Sequence, residues 1–185
     1  MTFPHRAASP LAAFLALGGL VVSAGAVGAE PPQTIALHDT TTLPLAACAA
    51  RNLLFMDGYT VSLYLPDPAR PPASAIAAAV PKAVRIDVTW QGELPKQLPG
   101  RWAQRLRQGV TAEMYEGVQQ LYARLARGDS VVVAHTPARG TAVSLNGRRV
   151  MAAPDASLVD TLLDMFVGPD PVSRATKQRL LQPGC

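Results

Sequence analysis

Arg51 is the residue of this chain best placed to do chemistry, because it stands alone in the weakly charged, strand-like stretch AACAARNLLFMDGYTVSLYLP. A guanidinium presents five donors in a planar fork and stays charged at any physiological pH. Turned toward a cavity, it would hold a carboxylate or an oxyanion. Turned away, it would pair with an acid such as Asp57 or Glu116, or lie in water. Two tyrosines are close enough in sequence to share its work. If Asp57-Gly58 is a two-residue hairpin turn, Met56 pairs with Tyr59 and Arg51 opposes Tyr64, so Tyr64 takes its face. If the turn lies elsewhere, or a bulge intervenes, Tyr59 joins Arg51 instead. Either phenol beside the guanidinium makes a two-point clamp for a carboxylate.

Other chemistry is thinly represented. His38 and His135 are far apart, with no cysteine or carboxylate at ligand spacing, so no metal is expected. Ser62 and Ser144 lack the glycine context of a nucleophile elbow, which leaves serine hydrolysis without support. No residue pattern calls for a cofactor. Trp102 reads first as packing and Asn146 first as a turn residue, each with a second reading as a ligand contact. Cys48 and Cys185 are the two cysteines of the chain. They are either a disulfide, as an exported protein would form, or a buried thiol and a loose terminal one.

The compartment follows from the first 29 residues. Arg6 precedes an apolar run from Leu11 to Val22, and small residues follow to Val27-Gly28-Ala29. That order is a secretory signal cut after Ala29, and the expected setting is periplasmic; a membrane anchor is the rival reading at this length. Removing residues 1–29 takes only Arg6 from the charge count, leaving 16 basic against 13 acidic side chains, or +3. So mild and scattered an excess excludes a nucleic-acid surface. Residues 30–185 make one domain of ordinary size, with no internal repeat. Oligomeric state is not legible.

The elements that must position these residues show in the hydrophobic periods. Short strands are expected at Thr34–Leu37 and Leu43–Ala47, then a hairpin about Asp57-Gly58 within Leu53–Leu65. Prolines 66, 68, 71 and 72 force a surface connection, with a helical turn at Ala75–Ala79. Val84, Ile86, Val88 and Trp90 alternate on one face of a strand. A short helix over 99–107 carries Trp102 and Leu106 inward. A longer one runs from Thr111 to Gly128 with Met114, Val118, Leu121 and Leu125 in one stripe. Strands at Ser130–Ala134 and Thr141–Leu145 turn at Asn146-Gly147 into Val150–Ala152. Asp155 caps a helix that ends at Gly168, and Pro171 opens a last helix reaching Leu181. Strands segregated from helices imply α+β, an antiparallel sheet covered on one side.

Taken in order, several of these pieces resemble the chalcone-isomerase-like family, in its bacterial exported branch. They are Arg51 ahead of SLYLP at 62–66, then KAVRIDVTW at 82–90 and Trp102 on a helix. Gly128-Asp129, GTAVSLNG at 140–147, and Phe166-Val-Gly168 with Pro171-Val172, Lys177 and Leu180-Leu181 complete the series. The resemblance implies an open-faced β-sandwich, a large antiparallel sheet backed by helices with a cleft between. In plant isomerases of this fold the cleft closes a chalcone into a flavanone, an arginine and nearby donors holding the oxyanion. Other members bind fatty acids, the same arginine meeting the carboxylate. Arg51 matches that arginine and keeps its type. Tyr59 falls where the isomerases carry a cleft threonine, Trp102 near a tyrosine, Gly109 near an asparagine and Asn146 near a further threonine. Four of these five positions have changed type, so the oxyanion network of the isomerases is mostly rewritten.

The leading expectation is therefore a periplasmic binder of a small amphiphilic or aromatic anion such as a fatty acid. Its contact residues would be drawn from Arg51, Tyr59, Tyr64, Trp102 and Asn146. The alternatives are an intramolecular lyase that closes a chalcone-like enone, and a structural or interaction module whose cleft is filled by its own side chains.

Overall fold

The computed structural model describes residues 30–37, 40–53 and 56–185. The expected signal segment and His38 lie outside the described residues, and no described helix is long and apolar enough to cross a membrane. Seven strands form one antiparallel sheet in sequence order: β1 Thr34–Ala36, β2 Thr42–Leu53, β3 Met56–Tyr64, β4 Lys82–Val88, β5 Ser130–Thr136, β6 Gly140–Leu145 and β7 Arg148–Ala153. Two helices, α1 Gly100–Gly109 and α2 Ala112–Tyr122, interrupt the meander between β4 and β5. Two more, α3 Ser157–Val167 and α4 Arg174–Leu180, follow it. The sheet curls around its helices, an α+β arrangement of one apolar layer on another.

Alternation along the strands divides the sheet into two faces. Val61, Leu63, Val84, Val133 and Val143 point to the helices and pack with Leu106, Leu121, Leu158, Leu162, Leu163 and Phe166. On the reverse face, Tyr64, Ala83 and Ala134 are covered by Leu37 and Leu43 in a second, smaller core. α3 is buried along most of its length, as its dense apolar stripe requires.

Two polar devices fasten this frame. Lys82 is fully buried, and its Nζ donates to Ala75 O at 2.9 Å, Ala78 O at 2.7 Å and Asp160 Oδ1 at 2.5 Å. An ammonium removed from water needs every proton accepted, and here three acceptors tie the 66–81 connection to α3. His135 is also buried, its Nδ1 3.1 Å from Thr141 Oγ1. That hydroxyl gives its proton to Asp155 O at 2.5 Å, so Nδ1 must be the protonated ring nitrogen. His135 is thus bound within the frame, and the described residues contain no metal-holding cluster.

Several boundaries differ from expectation. Asp57 and Gly58 lie inside β3, not at a turn. The helical turn after the proline run is a 3-10 turn at Pro72–Ala75. Trp90 lies beyond the end of β4. α2 ends at Tyr122 rather than at Gly128, which takes a positive φ of 91° in the following turn. Pro171 does not open α4; Ser173 caps it two residues later, accepting from Thr176 N at 3.2 Å.

The chain end closes the β2 edge. Cys48 N donates to Gly184 O at 3.0 Å and Gly184 N to Ala46 O at 3.3 Å, and Cys48 and Cys185 form a disulfide across 137 residues. A cross-link over so long a loop removes much denatured-state freedom. Replacing Cys185 by serine is expected to lower unfolding free energy by about 4 kcal/mol, read from urea midpoints of the two proteins. An unchanged midpoint would show that the last residues add nothing to the fold.

Candidate functional site

The site begins with a register defect. Leu53 pairs with Met56 and Asn52 with Asp57, but the next pair is Arg51 with Tyr59. Gly58 is thereby left over as a bulge. Its carbonyl turns to accept from Thr89 N at 3.2 Å and Trp90 N at 3.1 Å, anchoring the chain as it leaves β4. Residues opposite one another in an antiparallel pair share a face, so Arg51 and Tyr59 stand side by side toward the helices. Without the bulge Arg51 would face Gly58, and the phenol would be on the reverse side.

Tyr64, five residues further along β3, falls on the opposite face by the same alternation. It is fully buried in the smaller core and donates to Pro32 O at 2.9 Å. The expectation that Tyr64 could share the Arg51 face is corrected, because the turn it required is not at Asp57-Gly58. Asn146 is also elsewhere. It holds a φ of 51° in the β6–β7 turn, donates from Nδ2 to Asp129 Oδ1 at 2.8 Å and accepts from Ser130 N at 2.9 Å. Its amide is consumed in joining two turns.

Arg51 Nη1 donates to Ser173 Oγ at 2.6 Å. Ser173 is held in place by its second task, the N-cap of α4. No ion pair to Arg51 forms among the described residues, Glu116 included; the side chain of Asp57 lies outside them. Among the described residues the hydrogen-bond partner of Arg51 is a neutral hydroxyl, which takes up one of its five donors. Ser173 escapes a sequence reading that starts the helix at Pro171. The available signal was a serine at an N-cap position, three residues before Thr176.

Beside the guanidinium, Tyr59 meets Trp102 edge to face with centroids 5.7 Å apart, and Phe166 at 6.4 Å; Trp102 and Phe166 are 5.5 Å apart. Burial pushes the Tyr59 phenol up to about 12, an effect only partly offset by the positive charge of Arg51. At neutral pH it is a proton donor. Its ring is also part of the wall of an apolar cavity of about 270 Å³ that lies between the sheet and α1, α2 and α3 and is partly open to solvent. Trp90, Leu98, Trp102, Tyr122, Val133 and Leu162 are among its other walls. Arg51 is not in that wall; Tyr59 is the residue common to the charge and the chamber. Gly109, at the end of α1, lies against Thr161 of α3, where any β-carbon would collide with the threonine side chain. The helices could not cross so closely with asparagine there.

Geometry thus joins Arg51, Ser173, Tyr59 and Trp102 at one end of an apolar chamber. Such a corner can orient an anion and shelter its apolar part. Alkaline titration tests the environment of the tyrosines. Tyr59 and Tyr64 are both raised from 10.0 to about 12, by burial first, so the unfolded chain ionises before the folded one. The stability they supply is complete below about pH 10 and is lost as pH rises toward about 12. Denaturant midpoints should fall across that window, and Tyr59→Phe should make the fall shallower; an identical slope in the variant would place the phenol in water.

A family model described as chalcone isomerase-like matches residues 24–182. Among solved structures, a fatty-acid binding protein of Arabidopsis thaliana superposes with a TM-score of 0.52 at 13% identity, over 80% of this chain and 95% of that one. Identity so low bears on the fold alone. No curated protein matches the sequence.

Proposed function

This chain belongs to the chalcone isomerase-like family, and from that premise we propose that it is a non-catalytic binder of a small amphiphilic carboxylate. The observation that carries the reading is Arg51, inward-facing and without an acid partner among the described residues, next to a phenol that walls an apolar chamber. The carboxylate would take charge-assisted bonds from Arg51 and the neutral Tyr59 hydroxyl. The chamber would take the tail, supplying most of the affinity by apolar burial. The shared fold with a plant protein named for fatty-acid binding favours the same class of ligand.

Size narrows that class. A cavity of about 270 Å³ is small for a ligand pocket, which favours a medium-length tail over a long one. The chamber is also open rather than plugged, which argues against a module with a filled cleft. Enone closure has less support: at two positions where the isomerases carry polar donors, Gly109 has no side chain and Asn146 is tied to Asp129 and Ser130. The disulfide and the composition of residues 1–29 favour an oxidising, periplasmic setting.

Displacement of a fluorescent apolar probe by carboxylates of increasing length tests the reading. Affinity should peak near decanoate, and Arg51→Gln should weaken decanoate about tenfold to a hundredfold, the worth of a charge-assisted bond. Equal affinity in the variant would end the proposal. Cyclisation of a hydroxychalcone above the buffer rate, lost in Arg51→Gln, would replace it with the lyase.

A further inference from the structure

Between β4 and α1 the chain runs from Thr89 to Pro99 without regular structure, and it is a wall of the cavity. Trp90, Leu94, Pro95, Leu98 and Pro99 all line it, although the two prolines are also exposed, while the polar Gln91, Glu93, Lys96 and Gln97 are exposed and off the cavity. The segment is therefore a strap with an apolar underside and a wet back.

Its attachments are few. At the start, Thr89 N and Trp90 N share the carbonyl of the Gly58 bulge. Between Trp90 and Pro99, two hydrogen bonds fasten it to the rest of the described residues, and a single side chain makes both; at the strap's far end Pro99 O accepts from Ala103 N of α1 at 2.9 Å. Gln119 of α2 accepts from Leu98 N at 3.2 Å through Oε1 and donates from Nε2 to Lys96 O at 3.0 Å. A segment with so few bonds and so much exposed backbone opens at a lower free energy than its surroundings. The closed position also leaves polar atoms unsatisfied: Thr89 Oγ1 and Trp90 Nε1 are buried and have no hydrogen-bond partner among the described residues. Gly92 lies over the indole nitrogen, so close that a β-carbon there would be 3.1 Å from it. Water would satisfy both groups when the strap swings out.

We propose that residues 89–99 are the moving wall through which a ligand reaches the apolar chamber, and that Gln119 is its latch. The inference deepens the binding reading and rests on the cavity being a binding chamber. It does not depend on what Arg51 holds. Gln119 is a positioning residue that touches the strap and not the ligand. Removing it should change the rates of binding far more than the affinity, because the latch is made in both free and filled protein and broken only in passage.

The test uses N-phenyl-1-naphthylamine, a neutral apolar fluorophore that makes no demand on Arg51, with wild type, Gln119→Leu and Gln119→Glu. In Gln119→Leu, hydrogen exchange of amides 91–98 should quicken. Probe association and dissociation should both accelerate about tenfold or more, the factor two ordinary hydrogen bonds are worth, with Kd within about twofold. Gln119→Glu keeps the acceptor for Leu98 N and loses the donor to Lys96 O. It should fall between the other two, and it carries the comparison alone if the leucine variant does not fold. Faster exchange with unchanged probe rates would show a loosened strap that is not the way in, and unchanged exchange would show no latch. A probe that never enters wild type would also overturn the proposal. Decanoate binding indifferent to Arg51→Gln, with the Gln119 rates as expected, would remove the carboxylate anchor and leave the gate standing.

Discussion

Side chains on a strand change face at every residue, so a single extra residue decides which groups meet. Gly58 is that residue. It shifts the β2–β3 pairing by one, brings Tyr59 opposite Arg51, and offers its displaced carbonyl to Thr89 and Trp90. The same defect therefore sets Tyr59 beside Arg51 and fixes the root of the strap over the neighbouring chamber.

The significance of Arg51 comes from comparison with the other cations that approach the core. Lys82 is more deeply buried, but its three protons are all accepted, one by the carboxylate of Asp160. Arg105 pairs with Asp164 and Asp170, and Arg85 with Asp87 on the reverse face. These pairs neutralise charge where the fold has nothing further to gain from it. Arg51 is bonded to a hydroxyl that α4 already holds in place. Its partner fixes the orientation of the guanidinium, and no acid among the described residues cancels its charge.

Sequence periodicity was sufficient for the layers. The alternation of Val84, Ile86 and Val88, and the stripe Leu158, Val159, Leu162, Leu163 and Phe166, each identify the buried face that the fold uses. The errors lie where local composition competes with tertiary pairing. Asp57-Gly58 has the composition of a tight turn, yet β3 must extend through it to pair with both β2 and β4. Placing the turn there reverses the parity and promotes Tyr64 over Tyr59. At the other end, a proline at 171 is a valid helix opener, but Ser173 offers the helix a cap that also meets Arg51. The Arg51–Ser173 contact has no local signature, since it joins residues 122 apart in the chain, and the Gly58 bulge shows only once β2 and β3 are paired. Asn146 shows the converse case: its turn role was legible, and the turn consumes the amide that the family resemblance would place in the cleft.

In the proposed binding mode, the aromatic trio of Tyr59, Trp102 and Phe166 would link recognition of head and tail. Its rings come from β3, α1 and α3; Trp102 meets each of the other two edge to face, and the cluster packs the helices against the sheet on the face where Arg51 lies. Tyr59 has one surface on the chamber and feels the field of Arg51. A tail filling the chamber must therefore press on the ring whose hydroxyl would bind the head. Such coupling favours an amphiphile over either half alone. A bare anion would leave the apolar wall unfilled, and a bare hydrocarbon would bury itself beside a guanidinium without meeting its need for an acceptor. Selectivity for molecules with both halves then follows from adjacency, without any further polar group in the chamber.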